Sequence, residues 1–177
     1  MAKTYTSAGT VAAGDVATAA AWNVVTADVN NLIVPASCSV VRTTSLTGYT
    51  SDADITWTTT AAYDTDSMFS SGAPTRITIN TAGLYLVTSY VLLQATPTLT
   101  SVTLDTAKNG TLISRVVPYY SSSAAYISGA FVLNLAAADY LTFRHNIVGG
   151  SAYIVTGNAT EGVSQSRVNV TWIGRTS

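Results

Sequence analysis

The chain is poor in charge and poorer still in the side chains that most catalysis needs. Asp, Glu, Lys and Arg together make 10% of its 177 residues, against about 25% in an average globular protein. The net charge of -1 gives no basic footprint for nucleic acid and none for an anionic membrane, so neither is expected as a partner. There is one histidine, His145, one glutamate, Glu161, and one cysteine, Cys38. A single cysteine excludes an intrachain disulfide. With one glutamate, paired-carboxylate glycoside chemistry would need two aspartates facing one cleft. No Gly-x-Ser-x-Gly elbow, His-Glu-x-x-His helix, phosphate loop or dinucleotide fingerprint occurs, and the expectation is a chain that is no enzyme and holds no cofactor. No apolar run approaches the ~20 residues of a membrane span. The opening Met-Ala-Lys-Thr-Tyr-Thr-Ser has no apolar stretch of the secretory kind, so synthesis and retention in a cytosol are expected. The Asn-x-Thr matches at Asn109, Asn158 and Asn169 are what a threonine-rich chain yields by chance and carry no glycosylation claim.

What replaces charge is Thr, Ser, Ala and Asn, in a sequence that is 47% hydrophobic. Low charge without low hydrophobicity is the opposite of a disordered composition, and the length suits one compact domain. From residue 39 onward the pattern is strand after strand: 39–46, 54–58, 63–69, 75–80, 83–94, 101–108, 111–117, 124–135, 140–147 and 167–173. Asn109-Gly110 between two of these is the strongest short hairpin signal. About ten short strands with turns between them predict an all-β sandwich or jelly roll. His145 shares an apolar strand face with Leu141, Phe143 and Ile147, which fits a core or interface histidine better than a base or ligand.

Residues 83–94 are apolar on both alternating faces, Leu84, Leu86, Tyr90 and Leu92 on one and Tyr85, Val87, Val91 and Leu93 on the other. Each face wants cover. One is covered by the sandwich's own core; the second cover is expected from another copy of the chain, with Tyr85, Val87, Val91 and Leu93 as trimer-interface candidates. Residues 1–36 differ from the rest. A small-residue arm leads into a helix with Asp15 or Thr18 as N-cap and Pro35 as its stop. Thr18, Trp22, Val25, Val29 and Leu32 repeat at four, three, four and three, a narrow seam of the coiled-coil kind. Two heptads cannot stand alone, so this segment, 1–36, is expected to anchor a β domain spanning 37–177.

The order of landmarks from residue 40 to 175 resembles the globular domain of the C1q and tumour necrosis factor families. The matching residues run Val41-Arg42, Trp57, Tyr63-Asp64, Phe69, Arg76 to Asn80 and then Gly83-Leu-Tyr85, Lys108-Asn109-Gly110, Ser128-Gly129, Leu135 to Leu141 around Asp139, and Val170-Thr-Trp-Ile-Gly174. The resemblance implies a ten-strand jelly roll that forms homotrimers. It departs where Ala138 stands in place of a glycine before Asp139, and in a longer, more polar stretch from Val148 to Gln165. Residues 8–23, with Gly14-Asp15, Thr18 and Asn23, resemble the opening of many tailed-phage structural proteins. Together the two resemblances imply a virion protein made in the host cytoplasm and displayed on the virion surface.

Two further groups are candidates for contact. Asp52, Asp54, Asp64 and Asp66 are the one acidic concentration, and their i, i+2 spacing could aim carboxylates at a hard cation; solvated loops are the plainer reading, and no metal is assigned. Tyr119 and Tyr120, followed by three serines, look like a loop tip offering aromatic contact area to a host surface, such as a glycan. The function expected is a head fibre or capsid decoration protein whose main partner is the major capsid protein. Alternatives are a tail-tip receptor-binding protein, distinguished by copy number per particle, and a free carbohydrate-binding module.

Overall fold

The computed structural model describes residues 19–49, 51–58, 61–96, 100–117, 119–120, 124–148, 152–155 and 166–175. One helix, α1 (Ala19–Ile33), is followed by β1 (Ser37–Val41), β2 (Leu46–Thr47), β3 (Ala61–Asp64), β4 (Ile77–Thr78), β5 (Gly83–Thr96), β6 (Ser101–Lys108), β7 (Thr111–Val116), β8 (Tyr119–Tyr120), β9 (Ala124–Leu135), β10 (Tyr140–Val148), β11 (Ala152–Val155) and β12 (Arg167–Gly174). These pair antiparallel into two sheets. The larger centres on β5, which pairs from Gly83 to Gln94 with β9 and on its other edge with β12 and then β11; β12 leads on to β1 and β3. The smaller runs β4-β10-β6-β7.

Alternation sets which sides meet. Val168, Val170 and Trp172 of β12, Tyr85, Val87, Val91 and Leu93 of β5, and Leu141, Phe143, His145 and Ile147 of β10 all point inward and are buried, leaving polar neighbours to face out. Trp57 stands edge-on to Phe143 at 6.1 Å in this core. Asn109 and Gly110 take left-handed backbone angles, φ 51° and 82°, as a two-residue hairpin turn between β6 and β7 requires. The helix ends at Ile33, two residues before Pro35; Asp15 and Thr18 lie outside the described residues.

Gly83 is fixed by packing rather than by flexibility. A Cβ there would lie 2.1 Å from Trp172 Nε1 and 2.6 Å from the Gly174 carbonyl, so the β5–β12 seam closes only over a glycine.

Several strand expectations need correction. Residues 39–46 divide into β1 and β2, because the chain bends at Thr43 and Thr44 once the Arg42 N–H has bonded the Ser166 carbonyl at 2.9 Å. Residues 54–58 are not a strand: only Asp54 makes a bridge, to Arg144. The amides beyond it go to three different elements, Ile55 to Phe143 O, Trp57 to Pro74 O and Thr58 to Val41 O. Residues 63–69 keep strand geometry only through Asp64, with a lone bridge from Phe69 to Ile77. The stretch from Val148 to Gln165, expected as loop, contains β11.

Candidate assembly surfaces

The helix carries the first surface. Trp22, Val25, Val29 and Ile33 recur at spacings of three, four and four, and all are exposed, Trp22 at 61% and Ile33 at 69%. No strand of the sandwich packs along the helix among the described residues. Thr26 returns its hydroxyl to the Trp22 carbonyl at 2.9 Å, a bond within the helix that leaves the stripe unchanged. Of the seam read from sequence, Trp22, Val25 and Val29 thus form one exposed row. Thr18 and the side chain of Leu32 lie outside what the structure describes. A 15-residue helix presenting such a row is marginal in water by itself.

The second surface is the outward side of the larger sheet. The trimer-interface candidates Tyr85, Val87, Val91 and Leu93 do not belong to it. All four are fully buried inside a single chain, because the β5–β12 register sets them beside the inward Val170 and Trp172. The outward set is the other one. Leu84, Leu86, Thr88 and Tyr90 stand across from Asn134, Val132, Ala130 and Ser128 of β9, while Leu92, across from Tyr126, is buried within the chain. Leu86 is 37% exposed, Val132 54% and Tyr126 60%, with Tyr63 of β3 and Ile173 of β12 also exposed.

A polar thread crosses the middle of this face. Ser39 Oγ donates to Asn169 Oδ1 at 2.7 Å, and Asn169 Nδ2 donates to Thr88 Oγ1 at 3.0 Å. These groups are satisfied in place, so covering the face leaves none of them orphaned. Across the strands of the larger sheet the charged residues are Asp64, which turns back toward the loop after β3, and Arg167. The opposite side of the sandwich carries the charge. There Asp105 receives Arg115 Nε at 2.8 Å and Nη2 at 2.7 Å and Thr103 Oγ1 at 3.0 Å. Burial pushes the Asp105 carboxyl upward, but those hydrogen bonds and the charges of Arg115 and Arg144 outweigh it and hold it below the ordinary range.

The acidic candidates do not converge. Asp64 accepts the backbone N–H groups of Met68 at 2.8 Å and Phe69 at 2.9 Å, ordering the turn after β3. Asp66 is buried next to it. Asp52 accepts from Asn146 Nδ2 at 3.3 Å, and Asp54 bridges Arg144, both beside β10. Among the described residues no three His, Cys, Asp or Glu side chains stand together as a metal would need. Tyr119 and Tyr120 are an edge strand paired to Tyr126 and Ala125 of β9 rather than a free tip; the serines after them lie outside the described residues. His145 is fully buried and edge-on to Tyr49 at 5.6 Å. Neither ring nitrogen has a hydrogen-bond partner, and desolvation pushes its pKa down to about 3, so the ring is a neutral core side chain.

No family model matches the chain, and no curated protein matches it in sequence. Solved structures do match its shape. The globular domain of zebrafish complement 1qA superposes with a TM-score of 0.55 at 16% identity, covering 79% of this chain and 98% of that one. Murine APRIL at pH 5.0 gives 0.55 at 14% identity, with 77% and 99% covered. Eiger TNF from S. frugiperda gives 0.56 at 14% identity, with 80% and 94% covered. The fold is therefore the two-sheet jelly roll of the C1q and tumour necrosis factor domains, as the order of landmarks in the sequence implies.

Proposed function

We propose that this chain is a non-enzymatic structural protein of a tailed-phage virion, a homotrimeric head fibre or capsid decoration. Three jelly rolls join through the outward side of the larger sheet, and residues 1–36 anchor the trimer on the major capsid protein at a site of three-fold symmetry. The observation that carries the reading is the exposed row Trp22, Val25, Val29 and Ile33 on a helix along which no strand packs among the described residues. Apolar side chains in that arrangement are taken out of water by docking against another molecule. The trimer rests on the second surface, where Leu86, Tyr126 and Val132 are exposed on a sheet face nearly free of charge, the composition of an interface centre. The resemblance of residues 8–23 to tailed-phage structural proteins supplies the setting, with synthesis in the host cytoplasm and display on the virion surface.

Two measurements test it. Size-exclusion chromatography with light scattering gives three times the chain mass for the wild type and a folded monomer for Val132→Glu. Mixing with undecorated heads gives saturable binding that Trp22→Glu with Val29→Glu abolishes while the trimer persists. A monomeric wild type sinks the trimer, and heads that bind the double variant as well as wild type sink the anchor.

A further inference from the structure

Where the chain bends after Arg42, the 42–46 loop, the Thr56–Thr58 segment and the Ser71–Pro74 turn line a solvent-open cavity of about 480 Å³. Arg42 lines it and is only 7% exposed. Its Nε donates to the Thr44 carbonyl at 3.0 Å and its Nη1 to the Thr56 carbonyl. Both acceptors are neutral. The ion pairs among the described residues, Lys108–Asp139 and Arg115–Asp105, leave Arg42 out, and no carboxylate is among the lining side chains. Trp57 lines the same cavity at 2% exposure and forms apolar wall. A guanidinium held mostly out of water that meets only carbonyl dipoles among the described residues is short of an anion.

The rest of the lining narrows the chemistry. Thr44 and Ser71, both hydroxyl-bearing, line the exposed rim, Thr56 is less exposed, and Leu46 and Pro74 add apolar wall. The Thr44 carbonyl takes the one hydrogen on Nε, so a planar carboxylate meets the guanidinium at its Nη end, whereas hydroxyl-bearing walls suit a ligand with many hydroxyls of its own. The volume falls in the range of small-molecule sites, about 300–1,000 Å³, so an inorganic anion would leave most of it filled with water. We propose that the Arg42 cavity binds a carboxylate-bearing sugar, its carboxylate on the Arg42 guanidinium and its hydroxyls on Thr44, Thr56 and Ser71. The site is complete within one chain and stands whether or not the assembly reading does.

The test titrates the full chain with glucuronate, glucose and acetate by ligand-observed NMR. Glucuronate is expected to bind at least about tenfold more tightly than either control, since only it offers both the charge and the hydroxyls. Ser71→Asp, on the exposed rim where folding is untouched, places a like charge beside the carboxylate and weakens glucuronate at least about tenfold. Arg42→Gln, checked for folding by its melting curve, does the same. Equal binding of glucuronate and glucose overturns the proposal, as does acetate binding as tightly as glucuronate, or Ser71→Asp leaving glucuronate unaffected.

Discussion

Ala138 occupies a backbone conformation that belongs to glycine, and replacing it with glycine should stabilise the protein. Its φ is 72°, in the turn that closes β9 onto β10, where its N–H donates to the Ile79 carbonyl at 2.8 Å. The turn is locked on both sides. Asp139 N–H donates to Ala136 O at 3.1 Å, and the Asp139 carboxylate accepts Ala136 N–H at 2.8 Å and Lys108 Nζ at 2.8 Å. With that many bonds fixing the loop, Ala138 cannot relax to a negative φ without breaking them. An L residue there costs about 1–2 kcal/mol relative to its right-handed alternative. Glycine escapes this but makes the unfolded chain more mobile, an opposing effect of about 0.4–1 kcal/mol. The methyl is exposed, so no packing is lost. The net is about 0.5–1 kcal/mol in favour of Ala138→Gly, a rise in melting temperature of about 1–4 °C for a chain of this length. Ala138→Val should do the reverse, since a branched side chain at positive φ is worse than alanine. Calorimetry at matched protein concentration reads both, the matching being needed because self-association shifts apparent stability. A lowered midpoint for the glycine variant, or an unchanged one for valine, refutes the left-handed assignment.

Gly83→Ala should lose about 3 kcal/mol in urea unfolding, because the new methyl meets Trp172 Nε1 and the Gly174 carbonyl inside contact distance; a loss under about 0.5 kcal/mol would mean the seam yields. Acid stability should fall in two windows. His145 has its folded pKa depressed to about 3, so the unfolded chain binds the extra proton and stability drops as pH falls from about 6.5. His145→Leu should flatten that window in denaturation midpoints, and an undiminished slope counts against a buried neutral ring. Asp105, also depressed in the folded state, contributes stability above its unfolded value of about 3.9, which is lost as pH falls through the lower folded value. Asp105→Asn should lose about 2 kcal/mol at neutral pH by stripping the charged bonds to Arg115 and should shrink the difference from wild type below pH 4; a constant difference refutes the linkage.

Local signals in the sequence carried much of this fold. Asn109-Gly110 names its own turn, residues 124–135 form the strand their pattern predicts, and the apolar face of 140–147 is buried, His145 included. The losses share one cause. A strand is defined by a partner, and partners are remote in sequence. Residues 54–58 alternate well enough to read as a strand, yet their amides reach Phe143, Pro74 and Val41 in turn. Conversely, β11 is four residues that become a strand only because the far end of β5 extends past β12 and needs a neighbour. Arg42 looked like one more strand residue; no local pattern announces that it turns under a loop to line a cavity.

The two apolar faces of β5 illustrate the same limit where it bears on function. Taken alone, residues 83–94 offer no reason to prefer one face as the interior, since both carry leucine, valine or tyrosine at nearly every position. The tie is broken by β12, whose Arg167, Asn169 and Thr171 alternate with Val168, Val170 and Trp172. Once the register pairs Trp172 with Tyr85 and Val170 with Val87, the polar set must lie beside Leu86, Thr88 and Tyr90. The outward side of the sheet is then a mixture, leucines and valines threaded by the Ser39–Asn169–Thr88 bonds. A wholly apolar exposed ribbon would aggregate without register. One with a satisfied polar thread and almost no charge can be buried against a copy of itself at a defined position, because sliding would set the thread's hydroxyls and amide against leucine. Composition and register together thus make this face fit for specific self-association.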